Sequence, residues 1–266
     1  MLFRSTVDET KEPDSITING EPVNRPPRID SLDVLQTEPV EVGTEIDLSI
    51  TFSDPDLDDT HDCIIDWGDG TITEPFSVTS PLTDSYIYSA PGVYSIKVTI
   101  EDNDGLIDTE EYHYIVVYDS TGGFVTGGGW INSPAGAVPD TTLAGKATFT
   151  LESKYKKGAT LPTDNTNFQF KTANLKFKSA SCDWLVISGA QAKYKGTGTI
   201  NGAGEYGFML SAVDGAIKGD NIDKFRIKIW DKVSGEIVYD NQLDAPEDAE
   251  PTTAIGGGSI VIHKAK

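Results

Sequence analysis

Cysteine is nearly absent: two among 266 residues, Cys63 and Cys182, one in each half of the chain. That spacing excludes a disulfide framework inside either half, and Cys63, on the same face as Ile65 and Trp67 of an alternating run, is read as a small buried hydrophobe. Histidine is as sparse, with His61, His113 and His263 far apart in the sequence. No H-E-x-x-H or G-x-S-x-G string occurs, and Gly145-Lys146 lacks the preceding glycine of a phosphate-binding loop, so zinc, serine-nucleophile and nucleotide chemistry have no carrier. No apolar run is long enough for a membrane-spanning helix, which excludes insertion into a bilayer. No segment keeps the i, i+3, i+4, i+7 pattern of a substantial helix. The stretch from Met1 to Val7 is too short for a complete signal peptide, and a larger parent polypeptide is expected.

Positive charge is missing from the first part of the chain. Up to Ser120 there are five basic residues against 27 acidic ones, a balance of −22, whereas the remainder carries 16 against 15. Such a field repels phosphates and excludes nucleic acid and anionic lipid as partners of this half. Cations are its natural partners.

What is present is alternation. The runs "TEIDLSITF", "VYSIKVTIE" and "EYHYIVVY" carry apolar residues at period two, separated by turn signals at Asp54-Pro55, Gly68-Asp69-Gly70, Pro91-Gly92 and Asn103-Asp104-Gly105. Similar short runs continue after "DSTGG" with "KATFTLES", "WLVISG", "DKFRIKIW" and "GSIVIH". The expected architecture is all-β: a polar, proline-rich arm over 1–28, a β-sandwich over 29–119, and a second all-β sandwich or barrel-like domain of eight to ten strands over 120–266.

One stretch, "SDPDLDDTHDCIIDWGDG", places seven carboxylates in 18 residues around Trp67. Two carboxylates about 4 Å apart repel by about 4 kcal/mol at an effective dielectric near 20, so the loop must splay, take up protons or hold a cation. An EF-hand is excluded, because Asp59 stands where that loop needs glycine and Ile65 where it needs glutamate. Calcium nevertheless accepts oxygen ligands from separate loops.

The combination "FSDPDLDD", "IDWGDGT" and "YSAPGVYSIKVTIEDNDG" resembles the PKD (polycystic kidney disease) domain, an immunoglobulin-like sandwich of extracellular and surface proteins. The resemblance implies a calcium site formed by Asn24 of the arm, Asp54 and Asp56 of one loop, and Asp102 and Asp104 of another. It also implies that Trp67 and the Gly68-Asp69-Gly70 turn are structural. The later segments "GGGWI", "FQFK" and "DKFRIKIWD" resemble a β-domain found at the ends of secreted bacterial multidomain proteins, without an assigned activity.

Two further groups in the second half are candidates. Asp214, Asp220 and Asp223 in "DGAIKGDNID" form a possible second metal loop, against a plain hydrophilic turn. Trp130 and Trp184 form a possible ligand platform, although alternation favours inward rings. Together these readings predict a non-catalytic extracellular or cell-surface spacer, stiffened by calcium, that serves adhesion or another interaction with an extracellular protein or polysaccharide. The alternative is a carbohydrate- or matrix-binding accessory module of a secreted hydrolase.

Overall fold

The computed structural model describes residues 17, 18 and 21–264, with side chains from residue 23 onward. Much of the expected arm therefore lies outside the described residues. Chain contacts define two compact units, one containing Leu48–Asp84 and Ile96–Tyr112 with the segment up to Leu35, the other containing Gln36–Asp47, Ser85–Ser95 and the chain from His113.

The architecture is all-β. After a two-stranded pair, β1 (Thr17–Ile18) and β2 (Glu21–Pro22), the segment to residue 118 forms eight strands. These are β3 (Arg28–Val34), β4 (Val40–Glu41), β5 (Glu45–Ser53), β6 (His61–Asp66), β7 (Phe76–Val78), β8 (Leu82–Ile87), β9 (Gly92–Asp102) and β10 (Ile107–Tyr118). They make the two sheets of a sandwich, β3-β5-β8 and β4-β10-β9-β6-β7. Alternation decides which faces are inside: Ile46, Leu48, Ile50 and Phe52 of β5 are buried, as are Cys63 and Ile65 of β6 and Ile96, Val98 and Ile100 of β9.

Trp67 follows β6 at 1% exposure and closes that inward row. The turn after it uses Gly68 at φ +78° and Gly70 at φ +93°, a backbone region costly for any residue with a Cβ. Asp66 and Asp69 each accept a turn N–H, from Gly68 and Thr71, at 2.9 Å. Burial pushes the Cys63 thiol up to about 12, with Asp84 adding to the shift, so it behaves as the inert hydrophobe that the alternation predicts.

The segment from Gly123 forms one ten-stranded sheet. Its strands are β11 (Gly123–Ser133), β12 (Gly145–Tyr155), β13 (Pro162–Asp164), β14 (Asn167–Phe170), β15 (Leu175–Ser188), β16 (Gln191–Ile200), β17 (Ala203–Val213), β18 (Lys224–Asp231), β19 (Ile237–Asp240) and β20 (Gly257–Lys264). The path runs β19-β18-β17-β16-β15-β14-β12-β11-β20, with β13 on β12. Phe149 of β12 stacks on Phe225 of β18 with centroids 4.1 Å apart, although four strands separate them along the path. Phe168 of β14 meets Tyr239 of β19 at 4.6 Å. Strands so distant in order touch only if the sheet rolls around its own apolar face, and that rolled face is the core of the domain.

The connection between β19 and β20 lies over cations of neighbouring strands. Arg226, 3% exposed, pairs bidentately with Asp240 at 2.8 and 3.1 Å and donates to the carbonyls of Ala245 and Pro246. Lys193 donates to the carbonyls of Glu247 and Asp248, and burial pushes its ammonium down to about 8. These bonds satisfy loop carbonyls that strand pairing leaves free.

Candidate metal centre

Register builds the site. β6 pairs antiparallel with β9 so that His61 stands opposite Asp102. The loop Asp54–Thr60, which delivers the chain into β6, therefore lies beside the hairpin turn that begins at Asp102. The two are joined by Thr60 N–H donating to Asn103 Oδ1 at 2.8 Å.

Within this contact Asp54, Asp59 and Asp102 each bring one carboxylate oxygen to within 4.8 Å of the others. Among the described residues this is the one convergence of three such groups. Calcium–oxygen distances are about 2.3–2.6 Å, so ligands on opposite sides of one ion are about 4.6–5.2 Å apart, and three oxygens this close fit a single ion.

Hydrogen bonds aim two of the three. Asp54, its side chain 4% exposed, accepts Asp56 N–H on Oδ1 at 2.7 Å and meets His61 Nε2 with Oδ2 at 2.8 Å. Asp102 accepts the N–H groups of Asp104 and Leu106 on Oδ1, both at 2.9 Å, and the Asn24 amide on Oδ2 at 2.9 Å. Burial works to raise the Asp102 carboxyl and is the largest single influence, but the bonds from Leu106, Asn24, Asp104 and Gly105 together hold it below the ordinary range.

Asp59 differs. Its Oδ2 is buried and has no hydrogen-bond partner among the described residues. Desolvation, followed by the charges of Asp54, Asp102, Asp104 and Asp56, raises its carboxyl. A buried acceptor facing other carboxylates calls for a proton or a cation.

The expected ligand set is thus redistributed. Asn24, Asp54 and Asp102 come together. Asp56 instead engages Arg25, accepting its backbone N–H at 2.8 Å and its guanidinium at 3.1 and 3.4 Å, and these bonds hold the carboxyl below its ordinary value. Asp104 is exposed, and its N–H serves Asp102. Asp59 and His61 lie at this contact although neither belongs to the expected set. The one signal pointing to both is their position at the mouth of a strand whose register partner is Asp102.

The second-half candidates have other tasks. Asp214 accepts Ala216 and Ile217 N–H on Oδ1, capping the short helix Gly215–Lys218 (α1), and accepts Ile262 N–H on Oδ2. Asp223 accepts from Gly215 and Ile260. Both carboxylates thereby close the free edge of β20. Asp220 accepts Ile222 N–H and lies 3.7 Å from Lys224 Nζ. Asp220 is exposed as in a hydrophilic turn, whereas Asp214, 5% exposed, and Asp223 are taken up by backbone N–H groups of α1 and β20.

Trp184 is buried with Val186 and Met209. Trp130 lies against Gly256 so closely that a Cβ there would sit 2.3 Å from the ring, and Lys146 Nζ stands 4.6 Å from the ring centroid. The rings sit on strands that are not neighbours, and they form no common platform.

Residues 24–117 match the family model described as the PKD domain, and this part of the chain is a PKD domain. No curated protein matches the chain. Among solved structures, one concerning the promiscuous specificity of carbohydrate-binding modules from the beta-sandwich super family is similar at 16% identity over 92% of this chain and 94% of its own, with a TM-score of 0.32.

Proposed function

We propose that the PKD domain binds one calcium ion between Asp54, Asp59 and Asp102, and that the chain is a non-catalytic, calcium-stiffened spacer and adhesion or interaction segment of a larger secreted or cell-surface protein. The observation that carries this reading is the buried Oδ2 of Asp59, without a partner among the described residues and facing two other carboxylates. A divalent oxygen-binding ion supplies what that atom lacks, and hard carboxylate and carboxamide oxygens suit calcium better than zinc.

The stiffening follows from where the ligands lie. Asp54 and Asp59 belong to the loop before β6 and Asp102 ends β9, while Asn24, in the segment leading into β3, is held to Asp102 by its amide. One ion among them ties three separate pieces of chain. Arg25 supports this from the side: its grip on Asp56 fixes the residue after Asn24. Extracellular calcium modules bind with dissociation constants on the order of 10⁻⁴ to 10⁻³ M, so the segment would be stiff outside cells and looser where calcium is scarce.

Calorimetric titration of calcium into the metal-stripped full chain tests the reading. One site is expected, weakened at least about tenfold by Asp59→Asn and by Asp102→Asn, each of which removes a charged ligand. Heat unchanged in both variants rejects the site.

A further inference from the structure

The C-terminal domain carries a pocket of about 660 Å³ in which Phe124, Lys154, Tyr155, His263 and Lys264 are the large side chains. Its construction follows from strand register. Lys154 of β12 lies directly opposite Phe124 of β11, which lies opposite His263 of β20, so the three side chains form one row on one face of the sheet. Phe124 and His263 stack with centroids 4.1 Å apart and planes 9° from parallel. Thr126 Oγ1 and His263 Nε2 are 3.0 Å apart, which fixes the imidazole.

The chemistry of the lining is unusual for this chain. Overall charge is −21, yet no acidic side chain lines the pocket, and two lysines do. Lys154 also pairs with Glu152 at 2.5 Å, a half-exposed contact that leaves the remaining ammonium protons for a ligand. Tyr155 follows Lys154 in β12, so its ring turns to the opposite face, packs against the core and holds its Oη on Leu185 N–H at 3.2 Å; it lines the pocket without offering its hydroxyl. An aromatic wall flanked by two cations at the strand ends matches a small-molecule site, and its volume lies within the range of such sites.

We infer that this pocket binds an acidic sugar residue, a hexuronate within a polysaccharide. Lys154 and, from the end of β20, Lys264 take the carboxylate, the outer face of the stacked Phe124–His263 pair meets the carbon face of the ring, and Thr121 meets ring hydroxyls. Cations alone would fit a bare phosphate equally well; the aromatic wall is what favours a sugar. The site does not depend on calcium bound to the PKD domain.

The test uses the full chain in chelator, with calorimetric titration of a galacturonate oligosaccharide, the neutral galactose counterpart and inorganic phosphate. Galacturonate is expected to bind about tenfold or more tightly than either other probe, the value of one charge-assisted hydrogen bond. Lys154→Gln combined with Lys264→Gln abolishes that preference, whereas Asp59→Asn leaves it intact. Equal binding of the neutral sugar, phosphate binding as tight as galacturonate, no binding of any probe, or an unaffected double variant would each overturn the assignment.

Discussion

Calcium is expected to raise the melting midpoint of the PKD domain, and Asp59→Asn is expected to melt above the wild type in chelator and to lose the response to the ion. The two parts have one cause. In the ion's absence Asp59 Oδ2 is buried beside Asp54 and Asp102, and the raised pKa of this half-exposed residue means that the fold disfavours its ionised form. Replacing it with an amide removes that repulsion and the ligand together. At free calcium about a hundred times the dissociation constant, the native state gains about 2.7 kcal/mol, which for a domain near a hundred residues is about ten degrees or more. Differential scanning calorimetry in calcium and in chelator reads both effects.

The pH dependence in chelator has a definite sign. Because the folded pKa of Asp59 is raised, its contribution is fully present below the unfolded value of 3.8 and is lost as pH rises through the folded value. Asp102 runs the other way: its folded pKa is lowered, so its contribution is present above 3.8 and is lost as pH falls through the folded value. Asp59→Asn should therefore gain on the wild type as pH rises from the acid side, and Asp102→Asn should lose ground.

Arg226→Ala lowers the stability of the C-terminal domain by about 3–5 kcal/mol, the usual cost of removing one member of a buried ion pair. Asp240, 2% exposed, is left as a buried charge without its bidentate partner, and the carbonyls of Ala245 and Pro246 lose their donor. The loop between β19 and β20 then keeps its lysine ties: Lys193 to the carbonyls of Glu247 and Asp248, Lys228 to the Glu247 carboxylate and Lys218 to the Glu250 carboxylate. Denaturant unfolding followed by tryptophan fluorescence measures the loss. Arg226→Ala combined with Asp240→Ala should recover part of it, since no lone buried charge remains.

Period-two patterning was sufficient to place the inward rows: Ile46, Leu48, Ile50 and Phe52 in "TEIDLSITF" are all buried, and Cys63, Ile65 and Trp67 share one face. The turn chemistry of Gly68 and Gly70 was legible for the same local reason. The metal site was legible only in part. Asp54 and Asp102 follow from the family resemblance, but which acid of a loop holding Asp54, Asp56, Asp58 and Asp59 bends inward depends on the register of His61 with Asp102, a tertiary fact. Likewise Arg25 claims Asp56 only because the segment before β3 runs past that loop. Asp214 and Asp223 read as a solvated turn, and nothing local shows that the rolled sheet brings the backbone of β20 to them.

Diffraction from crystals of the chain grown with calcium addresses the site directly. One ion is expected, with an oxygen from each of Asp54, Asp59 and Asp102 at about 2.3–2.6 Å. A water molecule in that position, with Asp59 hydrogen-bonded as the neutral acid to Asp54 or Asp102, would contradict it.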